Sequence, residues 1–518
     1  MQLNRVFSNK VLLNIRKKTE IKLWRFPSKN NRNIQDLGKT NRKLRILVAS
    51  NIGGNMNTLA FDTVIARALS TRGHNVRISL CDGGFAACML AEHQKFKSIG
   101  EFVANGMENM CKSCKLDGMT STNLASVQYV SLRPPSYLKS NSTDDESGIA
   151  GTLRFLGTGR KSALIEFMDV KKRFEVASNQ YHDAISDLFD SEKFDVIVAH
   201  HGIYTPQGVV AQLALERGIP LVTWNQAYRK GRFILSWNGT YHKTLLDEEL
   251  EYSDLSKEQE EEILNYLESR DAGSNDWIRF NPVTKLASKK IHYDNAKKVF
   301  ALFTNVSWDA QLHYKSNVFI DMHEWIEKTI NWFKHNQDLN LIIRIHPAEI
   351  NGAVPARDKV FDFIQNLGLL PSNILVIKPE EKVSAYSIMD MADVGIIYGS
   401  KAGIELATKG KPVLVAGESW LKNKGIAIEP RSESEYFQNL KDLAEQNLVL
   451  PDNFKKRALK LAHYFFCERM IEVKSLKPIS RYPYMRPRLK NDWAKKDEGL
   501  LAIVRSIEEQ KPFVLQEK

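Results

Sequence analysis

Cysteine is scarce in this sequence: five in 518 residues, at Cys81, Cys88, Cys111, Cys114 and Cys467. So few exclude a disulfide framework and point to a reducing compartment. Long apolar runs are missing too, with none near the roughly 18 residues that a membrane-spanning helix needs. The chain is therefore expected not to cross a membrane. Apolar residues make up 43% and charged residues 26%, the balance of a folded globular protein. At this length one core is not enough, and two or three domains are expected.

Acidic residues are depleted at one place. Residues 1–45 carry thirteen Lys or Arg against Glu20 and Asp36, so +11 of the formal +12 lies there. The remaining body is near neutral, which argues against nucleic acid as a partner. The basic N-terminal arm, residues 1–41, interleaves Val6, Phe7, Val11, Ile15, Leu23, Trp24 and Phe26 with its bases. It reads either as a segment for peripheral contact with an anionic membrane or as a solvated, flexible tail. An organelle presequence shares that composition, whereas a secretory signal does not. The expected location is cytoplasmic and, on the first of these readings of the arm, peripheral at the inner face of the membrane.

Continuous apolar strands alternate with helical stretches, the pattern of parallel sheets covered on both faces. Residues 44–50, 76–80, 194–199 and 220–224 read as strands of a first unit, and 299–304, 341–345, 393–398 and 413–416 as strands of a second. The fold expected is α/β, with two doubly wound Rossmann-like domains facing an interdomain cleft. The first spans 42–298, the second 299–475, and a tail of 476–518 packs back across the junction. Residues 136–162, rich in Ser, Thr, Gly and Asp, read as a long exposed loop.

Ligands of such sheets bind beyond the carboxyl ends of the strands. His346, Ser400 and Glu405 fall there in the second unit, and His200, His201, Gly53 and Gly54 in the first. Glu405, one turn into a helix, can accept from ribose hydroxyls, or be an acidic residue favoured by the helix dipole. Ser400 and the N–H groups of Lys401 to Gly403 suit a phosphate. Lys401 adds charge or is simply solvated. His346 can donate to a departing phosphate or serve as a capped strand-end histidine. Arg344 is a secondary donor contact.

The segments Thr304-Asn305-Val306-Ser307-Trp308-Asp309-Ala310, Arg344-Ile345-His346-Pro347-Ala348-Glu349, Tyr398-Gly399-Ser400-Lys401-Ala402-Gly403-Ile404-Glu405 and Gly410-Lys411-Pro412-Val413 resemble the C-terminal half of bacterial capsule polysaccharide biosynthesis proteins. The likeness covers roughly residues 42–475 and is strongest from 300 to 430. It implies a GT-B-like glycosyltransferase, with a nucleotide-sugar donor on the second domain and a polysaccharide or glycolipid acceptor on the first. The His-Pro element also makes CMP-activated acidic sugars candidate donors. Transfer with inversion needs a base near the acceptor hydroxyl, and His201, then His200, are the candidates. Asp309 is the next, unless it caps a helix near Ala310. Tyr228 and Arg229 are expected sugar contacts, although plain exposed loop residues would look the same. A sugar-nucleotide epimerase and a non-catalytic assembly protein are the alternatives.

The chemistry itself requires no cofactor. Cys81, Cys88, Cys111 and Cys114 lie within 34 residues, one pair spaced as in a metal knuckle. They form either a structural zinc or iron-sulfur site or a set of plain buried thiols.

Overall fold

Seven strands build the first sheet of the computed structural model, which describes residues 19–27, 42–140, 146–160, 165–250, 253–272, 275–277, 288–309, 316–479 and 484–515. They are β1 (Arg45–Asn51), β2 (Asn75–Cys81), β3 (Gln128–Leu132), β4 (Val196–His200), β5 (Leu221–Gln226), β6 (Arg232–Trp237) and β12 (Ile471–Glu472). The second sheet holds β7 (Val299–Phe303), β8 (Asn340–Arg344), β9 (Ile374–Ile377), β10 (Val394–Ile397) and β11 (Val413–Val415). Their orders are β12-β6-β5-β4-β1-β2-β3 and β11-β10-β7-β8-β9. All pairings are parallel except β5–β6 and β6–β12. In each sheet the order reverses beside the first strand, which opens a crevice between β1 and β4 and another between β7 and β10. The expected pair of Rossmann-like units is thus observed.

Alternation along the strands explains why both faces are covered. Ile46 and Val48 enter one core and Leu47 and Ala49 another; Leu341 and Ile343 likewise part from Ile342. A strand of period two that is apolar at every position must bury both faces. Helix α1 (Met56–Thr71) starts where the Asn55 side chain accepts from the Thr58 N–H at 3.3 Å. Its turns are buried nearly all round, with the sheet on one side and α2 (Glu498–Glu509) near the other.

Three expectations are corrected. Residues 146–156 form a helix (Glu146–Leu156) in place of an exposed loop, with Leu153, Phe155 and Leu156 at most 1% exposed. Its small residues permit close packing: a Cβ at Gly151 would lie 2.6 Å from the Phe174 ring. The turn after it docks on the second unit, where Arg160 pairs with Asp358 at 3.0 Å. Residues 141–145 and 161–164 of that stretch lie outside the described residues.

Secondly, the helices Tyr241–Asp247 and Lys257–Ala272 contribute Tyr241, Leu245, Ile263 and Tyr266 to the core of the second sheet. The boundary near 298 thus divides residues that share a core. Residues 471–472, at the end of the expected second domain, and the tail complete the first unit: β12 pairs with β6, and Leu500, Ile503, Val504 and Ile507 enter its core. Thirdly, residues 19–27 of the arm are docked, with Trp24 1% exposed and Glu20 bidentate to Arg486. The rest of the arm, apart from those residues, lies outside the described residues. No helix among the described residues is long and apolar enough to cross a membrane.

Candidate active site

His346 follows β8, and Pro347 ends the strand there. Its Nδ1 accepts the Ala348 N–H at 3.1 Å, and its own N–H donates to Thr304 Oγ1 at 2.9 Å. An imidazole that accepts at Nδ1 carries its proton on Nε2 when neutral. Burial, with Lys401 and then Arg344 nearby, pushes its pKa down to about 3, so His346 is a neutral Nε2–H donor.

Arg344 ends β8 in the same corner. Its guanidinium donates to the Lys378 carbonyl, while Nε and one Nη are buried without a hydrogen-bond partner. Burial lowers its pKa to about 10, yet the group is still cationic at neutral pH. Lys401, in the turn after β10, holds its Nζ 4.9 Å from the Tyr228 ring centroid. Tyr228 belongs to the loop after β5, so this contact joins the two units. Tyr241, His242 and Trp420 extend the same aromatic wall, with His242 stacked 5.8 Å from Trp420. Asp309 lies near enough to Tyr228 and Tyr241 for its charge to raise both phenol pKa values, although burial is the larger cause. The helix expected near Ala310 is outside the described residues.

In the first unit β4 ends at His200, and the chain then turns sharply. His201 has φ +34 and Gly202 φ +67, and left-handed backbone at a non-glycine residue costs about 1–3 kcal/mol. His201 Nδ1 accepts the Ile203 N–H at 3.1 Å, while its buried Nε2 lacks a partner. That tautomer makes Nε2 a donor, so the preference for His201 over His200 as base is overturned. His200 is half-buried, with Nδ1 3.4 Å from Thr58 Oγ1, which leaves Nε2 for a ligand. Burial and then Arg154 lower its pKa to about 3.

Six other assignments change. Glu405 is 4% exposed and bound to Arg270, Nε to Oε1 at 2.6 Å, with the Tyr386 hydroxyl donating to the same oxygen at 3.1 Å. Burial alone would raise its pKa, but Arg270 and Lys401 together hold it low. Glu405 is thus one half of a buried ion pair rather than an open ribose acceptor. At the start of helix Ala402–Thr408, Ser400 already takes the Ala402 N–H on Oγ and the Gly403 N–H on its carbonyl. Gly403 is there for packing, since a Cβ would lie 2.6 Å from Ile397.

Arg229 is occupied by Glu262, the Phe466 carbonyl and Cys467 at 3.2–3.3 Å and does not face a sugar site. Gly53 admits the helix Glu108–Ala125, because a Cβ would lie 1.9 Å from the Cys114 carbonyl. Gly54 packs against Leu90 and Cys114. Neither glycine leaves room for a sugar.

Arg154 and Trp308 went unread in the sequence. Arg154 pairs with Glu92 at 2.9 Å and lies between Tyr204 and Trp308, 5.6 and 5.9 Å from their ring centroids. Its only sequence signal was a basic residue beside Leu153 and Phe155. Arg270 lies on the charged helix Lys257–Ala272.

Among solved structures the chain is similar to Thermosulfurimonas dismutans KpsC, beta Kdo 2,4 transferase. The identity is 14% and the TM-score 0.38, over 57% of this chain and 85% of that one. The beta Kdo 2,7 transferase of the same KpsC matches at 14% and TM-score 0.34, over 63% and 89%. A putative UDP-N-acetylglucosamine 2-epimerase from Listeria monocytogenes matches at 11% and TM-score 0.30, over 92% and 100%. No curated protein matches the chain. Residues 256–470, which hold the second sheet, His346, Lys401 and the Arg270–Glu405 pair, match the family described as Capsule polysaccharide biosynthesis protein.

Proposed function

We propose that the chain is a glycosyltransferase of surface-polysaccharide assembly that draws its sugar from a nucleotide-sugar donor. The observation that carries this reading is the cationic corner at the carboxyl end of the second sheet. There a buried guanidinium with two unpaired nitrogens, the Lys401 ammonium and the neutral His346 Nε2–H come together. Buried guanidinium nitrogens without partners, as in Arg344, cost free energy unless a ligand or water satisfies them. A diphosphate or monophosphate ester would meet all three. The family match over residues 256–470 supports the same reading.

The chemistry then follows from charge. An acceptor hydroxyl attacks the anomeric carbon, the bond from that carbon to the phosphate oxygen breaks, and the nucleotide leaves with the electron pair. Negative charge grows on that oxygen, where His346, Lys401 and Arg344 stabilise it more than in the ground state. His200, kept neutral, takes the proton of the acceptor hydroxyl, with Asp309 as the next candidate. Tyr228, Tyr241 and Trp420 offer apolar faces between the two ends. No cofactor enters these steps.

The test is to incubate the purified chain with CMP-, UDP- and GDP-sugars, with and without an oligosaccharide acceptor. Acceptor-dependent release of nucleotide is expected. Conversion of the sugar nucleotide in the absence of acceptor would make the chain an epimerase instead. Absence of both, with no donor raising the melting temperature, would leave an assembly protein.

A further inference from the structure

The other chemical constellation lies behind the first crevice. Cys81 ends β2, Cys88 is in the loop after it, and Cys111 and Cys114 are one turn apart on the helix Glu108–Ala125. All four line one cavity, which opens in part to solvent. No charged side chain lines it.

Several features of this cavity suit a bound group better than plain packing. Backbone donors aim at the sulfurs: the Gly54 N–H donates to Cys114 Sγ at 3.0 Å and the Gly83 N–H to Cys81 Sγ at 3.3 Å. The Tyr181 hydroxyl donates to Cys81 at 3.6 Å. Such bonds stabilise thiolate ligands and tune the centre they hold. Two glycines keep the wall clear. A Cβ at Gly54 would lie 3.5 Å from Cys114 Sγ, and one at Gly83, where φ is +94, would lie 3.2 Å from Cys111 Cβ. Finally, Asn51 lines the same cavity with 0% exposure. Its Oδ1 accepts from the Ser79 hydroxyl, but its Nδ2 has no partner. A buried amide donor is costly unless something accepts from it.

Sulfur spacing decides what that something is. Four thiolates on one zinc ion each sit about 2.3 Å from it, so all lie within about 4 Å of one another. Among the described residues, Glu262, His463 and Cys467 are the one group of three or more His, Cys, Asp or Glu with ligand atoms all within 4.8 Å of one another. Hence no three of the four cysteine sulfurs converge as a single ion requires. A cluster of several irons is wider, and its four cysteines are shared out among different irons. Its inorganic sulfides also accept hydrogen bonds, which suits Asn51 Nδ2.

We propose that Cys81, Cys88, Cys111 and Cys114 ligate an iron-sulfur cluster, each thiol losing its proton on binding iron. The cluster fastens the turn after β2 and the helix Glu108–Ala125 to the loop at Gly53-Gly54. Cys114 also packs with Ile52, Tyr204 and Trp308 where the units meet, so the same centre would hold one wall of the crevice in place. This inference is independent of the transferase reading.

The experiment is iron and acid-labile sulfide analysis of the full chain purified under argon, before and after reconstitution with ferrous iron and sulfide. About two or four irons with equal sulfide per chain are expected, with a charge-transfer absorption band that the bleaching reductant dithionite diminishes. Cys111→Ser and Cys88→Ser should each lose most of the iron, whereas Cys467→Ser should keep it. About one zinc per chain without iron, or a folded chain that takes up no iron on reconstitution, would overturn the proposal. Because the wild-type metal content decides, a variant that fails to fold leaves the test intact.

Discussion

The two units end a strand in the same way and then part. His201 and His346 each accept, on Nδ1, the backbone N–H two residues later, at 3.1 Å in both. Burial keeps both imidazoles neutral. What differs is the company. Around His346 stand Lys401 and the half-satisfied guanidinium of Arg344. Around His201 stand His200, Tyr204 and an Arg154 already paired with Glu92. The same local turn therefore yields an anion-seeking corner in one unit and a neutral, aromatic one in the other. In the proposed reaction, that asymmetry is the reason for placing donor phosphate and acceptor on opposite sides.

The largest effect expected bears on the acidic residue of the second unit. Glu405→Ala leaves Arg270 buried with Asp276, at 2.9 Å, as its one remaining carboxylate among the described residues. It should destabilise the protein by roughly 3–5 kcal/mol, as breaking a buried pair does, seen in the denaturation midpoint. An unchanged midpoint together with a fall in donor affinity would restore Glu405 to the ribose site.

Next, His346→Ala should lower turnover about 100- to 1000-fold by removing a donor to the leaving oxygen, with a smaller change in donor affinity. Steady-state kinetics with calorimetry of donor binding separates the two.

His200→Ala should slow transfer about 100-fold at unchanged donor affinity, and more than His201→Ala does. Because the His200 pKa is depressed to about 3, wild-type turnover should show no acidic limb from this group between about pH 5 and 8. A limb near 6.5 that vanishes in His200→Ala would mean a solvated imidazole. Equal losses in both variants would erase the distinction drawn between the two histidines.

Arg344→Met should weaken donor binding about tenfold or more, as expected for loss of a hydrogen bond to a charged group, and calorimetry would measure it. Unaltered affinity would break the comparison, since the two corners would then differ in charge without consequence.

The smallest effect is on stability against pH. Burial opposes protonation of His463, but Glu262 and Glu468 outweigh it and raise its pKa to about 9. A raised pKa stabilises the fold below the unfolded value near 6.5, and that contribution is lost as pH rises through 9. Glu262 is well exposed, so about 1 kcal/mol is expected after screening. His463→Gln should flatten the melting temperature across that window, which a pH series of thermal melts checks.

Eight strands of the two sheets were legible in the sequence because strands buried on two faces are apolar at every position, whereas β3, β6, β9 and β12 went unread. Within the site, His346 was legible because it directly follows an unbroken apolar strand. Residues 146–156 were not, because small and polar residues that usually mark loops here serve close packing against Phe174. The family resemblance, too, came from motif order alone and agrees with the match over residues 256–470.

By itself the sequence determined two doubly wound units, the side of each sheet on which ligands bind, and the concentration of positive charge in residues 1–45. Local periodicity and turn chemistry suffice for these. Tertiary structure alone decided that Arg270 neutralises Glu405 from 135 positions away. Nor could sequence reveal that residues 471–472 finish the first sheet, or that the proton of His201 sits on Nε2. Pairing, burial and tautomer depend on which distant groups come within hydrogen-bond reach, and spacing along the chain carries no record of that.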